Sequence, residues 1–164
     1  MAVYLRVSLV RPIVRQSSVT LLAQRILMAV GEAKSELSVA LIGDVRMRRL
    51  NREYRKQDRA TDVLAFSMRE APVPSGKRSA TTMLGDIVIS IPTAIRQARA
   101  AGRSMNHELA TLLIHGVLHL CGYDHERSPR EALRMSRREK AVFQMIAPVP
   151  RLLRSSPQQQ RRVC

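Results

Sequence analysis

Residues 115–125 read His-Gly-Val-Leu-His-Leu-Cys-Gly-Tyr-Asp-His, and this segment constrains the fold more than any other. His115 and His119 are four apart, so on a helix both imidazoles share one face within about one turn. A helix from Ser104 or Asn106 to Cys121 fits the surrounding apolar residues. Gly122 ends it, because glycine tolerates the left-handed backbone that turns a chain out of a helix. The returning chain can bring His125 to the same point. Three neutral imidazoles converging this way form a tripod for a metal and leave a fourth position open, as catalytic zinc sites do. The plainer alternative is two core histidines and one on the surface. Three of the chain's four histidines fall in these eleven residues, which favours the metal, most simply one zinc ion per chain. His107 lies two turns upstream and reads as a helix-start residue. Cys121 points away from the histidine face and reads as a buried apolar side chain.

The rest of the chain alternates short β-rich runs with amphipathic stretches. Val3, Leu5 and Val7 alternate as in a strand, so the fold is expected to start almost at Met1 with no targeting segment. Ser17 or Ser18 is the predicted cap of a helix carrying Leu21, Leu22, Ile26, Leu27 and Val30, which stops at Gly31. A strand over 36–42 follows. Asp44 then caps a helix with Val45, Met47, Leu50 and Tyr54 inward and Arg46, Arg49, Arg52 and Lys56 outward. Residues 62–66 and 84–91 read as strands, with a mobile Pro/Ser/Thr/Gly loop over 72–82. Pro92 suits the first position of a helix ending near Gly102. Ser128, Pro129 and Glu131 supply cap, first-turn proline and capping-box acid for a last helix to Ile146. The expectation is an α+β (α/β) single domain over 1–147, with a mixed sheet of about four strands and about five helices. Residues 148–164 read as a basic, disordered tail, either a flexible polycation that adds affinity for a polyanion without choosing sequence or a solubilising terminus.

Charge narrows the partner. The chain carries 28 Lys and Arg against 13 Asp and Glu, a net +15 over 164 residues. Only Lys34, Lys56, Lys77 and Lys140 are lysines, and guanidinium forks match phosphate oxygens bidentately. A polyanion is the expected partner, and nucleic acid the obvious one. With no Trp, three Tyr and two Phe, recognition is expected to run through phosphates and shape rather than extensive stacking. No apolar run approaches the roughly 18 residues of a membrane span, so a transmembrane protein is excluded; an anionic membrane surface is the weaker partner, lacking a basic amphipathic helix with Trp or Phe on its apolar face. Two cysteines make no disulfide framework, which fits a reducing, cytoplasmic setting.

Histidines at positions one, five and eleven with glycine at eight also match the metzincin peptidase layout. Those enzymes need a glutamate directly after the first histidine as general base. Here that residue is Gly116, and the standard peptide hydrolysis lacks its carboxylate.

The same segment resembles the signature HGxLHLxGYDH of the YbeY family of endoribonucleases. A second block is similar to the family's LNxxYR and PTDVLSF stretch: Leu50-Asn51-Arg52-Glu53-Tyr54-Arg55, then Asp58, then Thr61-Asp62-Val63-Leu64-Ala65-Phe66. Leu84-Gly85-Asp86-Ile87 resembles the family's LGDI strand. The likeness is specific from Asn51 to His125. It departs at Ala60, Ala65 and Ser67, none of them a ligand, and in the Arg-rich tail.

The resemblance implies a metal-dependent, single-strand-preferring endoribonuclease acting in rRNA maturation, including 16S-type precursor 3′ end processing, and in ribosome quality control. Its partners would be rRNA, the small ribosomal subunit and assembly factors, in the cytoplasm. The zinc ligands carry over to His115, His119 and His125, and the catalytic group to Arg55 and His115. A guanidinium that binds two phosphoryl oxygens suits charge building on phosphorus. Water and a ribose 2′-OH both remain open as nucleophile. Asp124 reads as a turn residue or as one that orients water or a histidine ring, and Asp62 and Asp86 as structural, as supports behind the ligands or as facing a partner, none of them catalytic. The rival from another class is a non-catalytic RNA-binding assembly factor with an organising metal; a metallopeptidase-like hydrolase is the remoter one.

Overall fold

The computed structural model describes residues 2–69 and 83–154, so the loop expected over 72–82 lies outside the described residues. The chain runs β1 (Ala2–Val7), α1 (Gln16–Ala29), β2 (Glu36–Ile42), α2 (Asp44–Arg55) and β3 (Val63–Ser67), then β4 (Met83–Ser90), α3 (Ile91–Ala100), α4 (Met105–Leu120) and α5 (Pro129–Ile146). The sheet order is β1-β2-β4-β3. β1, β2 and β4 are parallel, and β3 is antiparallel at the edge. Among the described residues, four strands and five helices in one α+β domain match the expected fold class.

Alternation along the strands sorts the core into two layers. Leu37, Val39, Leu41, Ile87 and Ile89 join the large core formed with α1, α4 and α5. Ile42, Leu64 and Val88 point to the opposite face and meet Met47 of α2 in a smaller cluster. A sheet covered on both faces needs strands that are apolar on both sides, as β2 and β4 are. α4 lies between the sheet and the other helices, so most of its circumference is buried. Past its first turn, the half-buried positions are Thr111, His115 and His119, one stripe that opens toward solvent. No helix among the described residues is long and apolar enough to cross a membrane.

Two glycines set how closely α4 and the sheet approach. A Cβ at Gly116 would lie 2.9 Å from Ile87 Cδ1, so this helical position must be bare for α4 to rest on β4. Gly85 sits at φ +156, beside the register shift between β2 and β4. A Cβ there would enter the Phe66 carbonyl oxygen and come within 2.8 Å of Leu120. Gly85→Ala combines backbone strain with a clash against backbone, each costing about 1–3 kcal/mol. A loss of roughly 3 kcal/mol or more is expected in urea unfolding; an unchanged midpoint would refute this role for Gly85.

Several local expectations need correction. α1 begins before Ser17 and Ser18, with Arg15 as its cap residue and no side-chain cap bond. The Arg15 amide donates to the Leu152 carbonyl (2.8 Å), so tertiary structure anchors this helix start. Gly43, not Asp44, is the cap residue of α2. Asp44 instead accepts from Ser90 Oγ (2.7 Å) and Thr93 Oγ1 (2.6 Å) and pairs with Arg96 (2.8 Å). Burial pushes its carboxyl up, but the hydrogen bonds from Arg96, Thr93 and Ser90 outweigh this and hold it at about 2. Val45 and Tyr54 are exposed rather than inward; the buried positions of α2 are Met47 and Asn51. The Asn51 side-chain amide donates to the Arg59 carbonyl (2.8 Å), fixing the chain that leaves α2.

The boundary read at residue 148 also shifts. Leu152 is fully buried, Val14 bridges Leu153, and the Arg154 amide donates to the Ile13 carbonyl (2.9 Å). Residues 148–154 thus pack on the body, and 155–164 lie outside the described residues.

Candidate metal centre

α4 carries His115 and His119 on one stripe, as their spacing requires. The helix ends at Leu120, and Gly122 takes φ +98 just beyond the Cys121 cap residue. In the turn that follows, Asp124 Oδ1 accepts from the Glu126 amide (2.9 Å). Asp124 is therefore a turn-forming residue, and the turn delivers His125 over α4. One ring nitrogen from each of His115, His119 and His125 lies within 4.8 Å of the others. Ring centroids are 4.7, 5.1 and 5.2 Å apart. His119 Nε2 and His125 Nδ1 are 3.2 Å apart. Two imidazole nitrogens on a tetrahedral zinc at 2.0–2.1 Å would be about 3.3–3.4 Å apart, so the donor set fits such an ion. Burial lowers the pKa of His119, and His115 and His125 beside it push the same way. A neutral ring is the form that ligates metal.

His115 has a partner that its own segment did not reveal. Its Nδ1 lies 2.6 Å from Glu139 Oε1 of α5, so the ring donates there and leaves Nε2 free. A carboxylate holding the far nitrogen fixes the tautomer and aim of a ligating histidine, and its loss typically costs 10–100-fold in metal affinity. Glu139→Ala is expected to weaken zinc binding within that range, and Glu139→Gln by less, in competition with a chelating dye. Wild-type affinity in both variants would reduce Glu139 to a surface contact.

Arg55, the last residue of α2, reaches the same cleft. Its Nη2 lies 3.3 Å from Glu126 Oε1, and that oxygen is 3.9 Å from His125 Nε2. Both Arg55 and Glu126 are substantially exposed, so an incoming anion can take the guanidinium from Glu126. The cleft is about 870 Å³ and is walled on one side by β3. Tyr54 lines it with its ring 5.1 Å from Phe66, edge to face. Deeper in the wall, nearly buried Glu108 lies 3.0 Å from Arg103. Asp62 also lines the cleft; its Oδ1 accepts from the Val63 amide (2.8 Å), in keeping with a structural role.

The remaining candidates stay outside. His107 stacks on Phe143, with centroids 4.6 Å apart, and is no part of the histidine cluster. Burial raises the Cys121 thiol to about 11, so it remains a protonated, half-buried side chain.

The family model described as Endoribonuclease YbeY matches residues 11–147. The chain belongs to the YbeY endoribonuclease family. Relatives named Endoribonuclease YbeY are similar over most of it. The one from Geobacter metallireducens is 46% identical over 125 residues, which are 76% of this chain and 81% of that one. The one from Aquifex aeolicus is 40% identical over 134 residues, 82% and 85% of the two chains. The match to the relative from Anaeromyxobacter sp. is 50% identical over 113 residues and spans 69% of this chain but 55% of that protein. The solution structure of TM1509 from Thermotoga maritima aligns with a TM-score of 0.60 at 24% identity, covering 88% of both chains; it supports the fold alone. All four positions assigned through the YbeY motifs, Arg55, His115, His119 and His125, line the one cleft.

Proposed function

We propose that this YbeY-family chain is a zinc-dependent endoribonuclease that cuts single-stranded stretches of rRNA precursors. The observation that carries this is the convergence of His115, His119 and His125 in a cleft that also holds Arg55. When bound, zinc would supply Lewis acidity toward a phosphoryl oxygen or a water. The protein's own side chains do the rest. Arg55 binds the phosphoryl oxygens and steadies their charge as it grows. Glu139 holds the aim of His115. Tyr54 offers an exposed ring on which one base can stack, and a base is free to stack only when unpaired. That favours single strands.

The setting we propose with it is the cytoplasm, with the small ribosomal subunit, its assembly factors and the 3′ end of 16S-type precursors as the context, and quality control as a further role. The basic residues of the segment 148–164 add sequence-independent affinity. A peptidase role is disfavoured by Gly116: the position that would carry the general-base carboxylate is bare and packs on Ile87. The test is cleavage of one RNA sequence as a single strand and as a duplex by the zinc-loaded protein. Faster cleavage of the single strand is expected. RNA binding without cleavage of either would favour the assembly-factor reading.

A further inference from the structure

A second concave surface adjoins the metal cleft. It is a groove of about 460 Å³ between Tyr123 and one face of α5. Tyr123 lines both, so the two surfaces adjoin at this side chain. Along α5, Arg130, Arg134 and Arg137 recur at i, i+4 and i+7, the spacing that puts three side chains on one stripe. All three are exposed. Arg134 Cζ stands 5.0 Å from the Tyr123 ring centroid. Arg138, on the same wall, donates to the Ala29 carbonyl (3.3 Å) and ties the helix to α1. Among the described residues, the acid within ion-pair range of the stripe is Glu131, 3.7 Å from Arg134. Half-exposed Leu133 adds an apolar spot.

Three guanidinium groups along one helix face are more than α5 needs for solubility. They suit a ligand with regularly spaced anions. The geometry points to an RNA track: the strand held in the metal cleft continues past Tyr123 and lays successive phosphates on Arg130, Arg134 and Arg137. The inference rests on the endoribonuclease reading for its ligand. The groove adjoins the cleft at Tyr123, which favours RNA over an acidic protein, because a strand leaving the cleft on that side passes the groove. The contacts are to phosphate, so they add affinity and direction without choosing sequence. The guanidinium on Tyr123 offers a flat surface against which a base can lie.

The test compares two triple variants of equal charge in the zinc-loaded protein. One is Arg130→Gln with Arg134→Gln and Arg137→Gln. The control is Arg6→Gln with Arg25→Gln and Arg99→Gln, exposed positions outside both surfaces. Binding of a single-stranded RNA of about 12 nucleotides is measured across a salt series. Each lost phosphate contact lowers the slope of log K against log salt by about 0.7, so the groove variant should lose about 2 in slope. Its affinity should fall on the order of 100-fold near 0.1 M salt, with zinc content and melting temperature held. The control, acting only through screened long-range charge, should change affinity by less than about threefold. Equal slopes for the two variants, with wild type binding and cleaving RNA, would overturn the groove alone. Wild type that binds no RNA would overturn the endoribonuclease reading and the groove with it. Loss of polyglutamate binding with RNA binding intact would give the groove to an acidic protein instead.

Discussion

His119→Ala is expected to empty the metal centre while leaving the fold intact. His119 Nε2 lies 3.2 Å from the His125 ring nitrogen, and the ring lines the cleft. Structural zinc sites bind with about 10–16 kcal/mol over four ligands, so one ligand carries roughly 3 kcal/mol, on the order of 100-fold in affinity. With only three protein ligands to begin with, the remaining pair should release zinc during gel filtration. Elemental analysis should then give well under one zinc per chain, and RNA cleavage should fall to background. The far-ultraviolet circular dichroism should be unchanged, because α4 is held by its apolar faces. One full zinc per chain in this variant would remove His119 from the ligand set.

Arg55→Ala is the second large effect and acts on a different step. Arg55 lies beside the histidines without belonging to them, joined through Glu126. Zinc content and melting temperature should therefore stay at wild-type values. Removing a group that stabilises developing charge typically costs about 10²–10³ in rate. A loss of that size is expected in the saturated cleavage rate, with a smaller change in RNA affinity. Arg55→Lys should recover only part of it, because an ammonium lacks the planar fork that holds two oxygens. An unchanged rate in Arg55→Ala would make it one more surface arginine on α2.

The parts of this site that were legible in the sequence are those fixed by local geometry. The four-residue spacing of His115 and His119 and the stop at Gly122 follow from helix period and backbone freedom, so their convergence with His125 could be read directly. Ser128, Pro129 and Glu131 likewise announce the start of α5, where Ser128 Oγ accepts from the Glu131 amide (3.1 Å). Glu139 was not legible: its contact with His115 spans 24 positions and depends on how α5 docks against α4. Nothing in a charge-rich stretch of helix singles out that carboxylate. Arg55 was visible only through the family motif, since α2 carries arginines all along its exposed side.

Misreadings arose where tertiary structure overrode a local cue. Val45 and Tyr54 looked like core residues by type, yet the inward face of α2 is set by Met47 and Asn51. The exposure of Tyr54 is what places an aromatic ring on the cleft wall, where little stacking was expected. Asp44 looked like a cap because aspartate favours that position, but its carboxylate is taken up by α3. Residues 148–154 looked like free tail by composition; buried Leu152, Val149 packed on the same core, the Leu152 amide donating to Asn106 and backbone bonds with Ile13 and Arg15 dock them.

The most direct test of a metal-dependent nuclease is reconstitution. Protein stripped of metal by a chelator, and then freed of the chelator, is titrated with zinc while cleavage of a single-stranded ribosomal RNA fragment is followed. The rate should be at background without zinc and should rise linearly to a plateau at one equivalent per chain. His119→Ala should show no such rise over the same range. Full-rate cleavage by the metal-free protein, or a rise in His119→Ala that matches wild type, would contradict a catalytic metal on these three histidines.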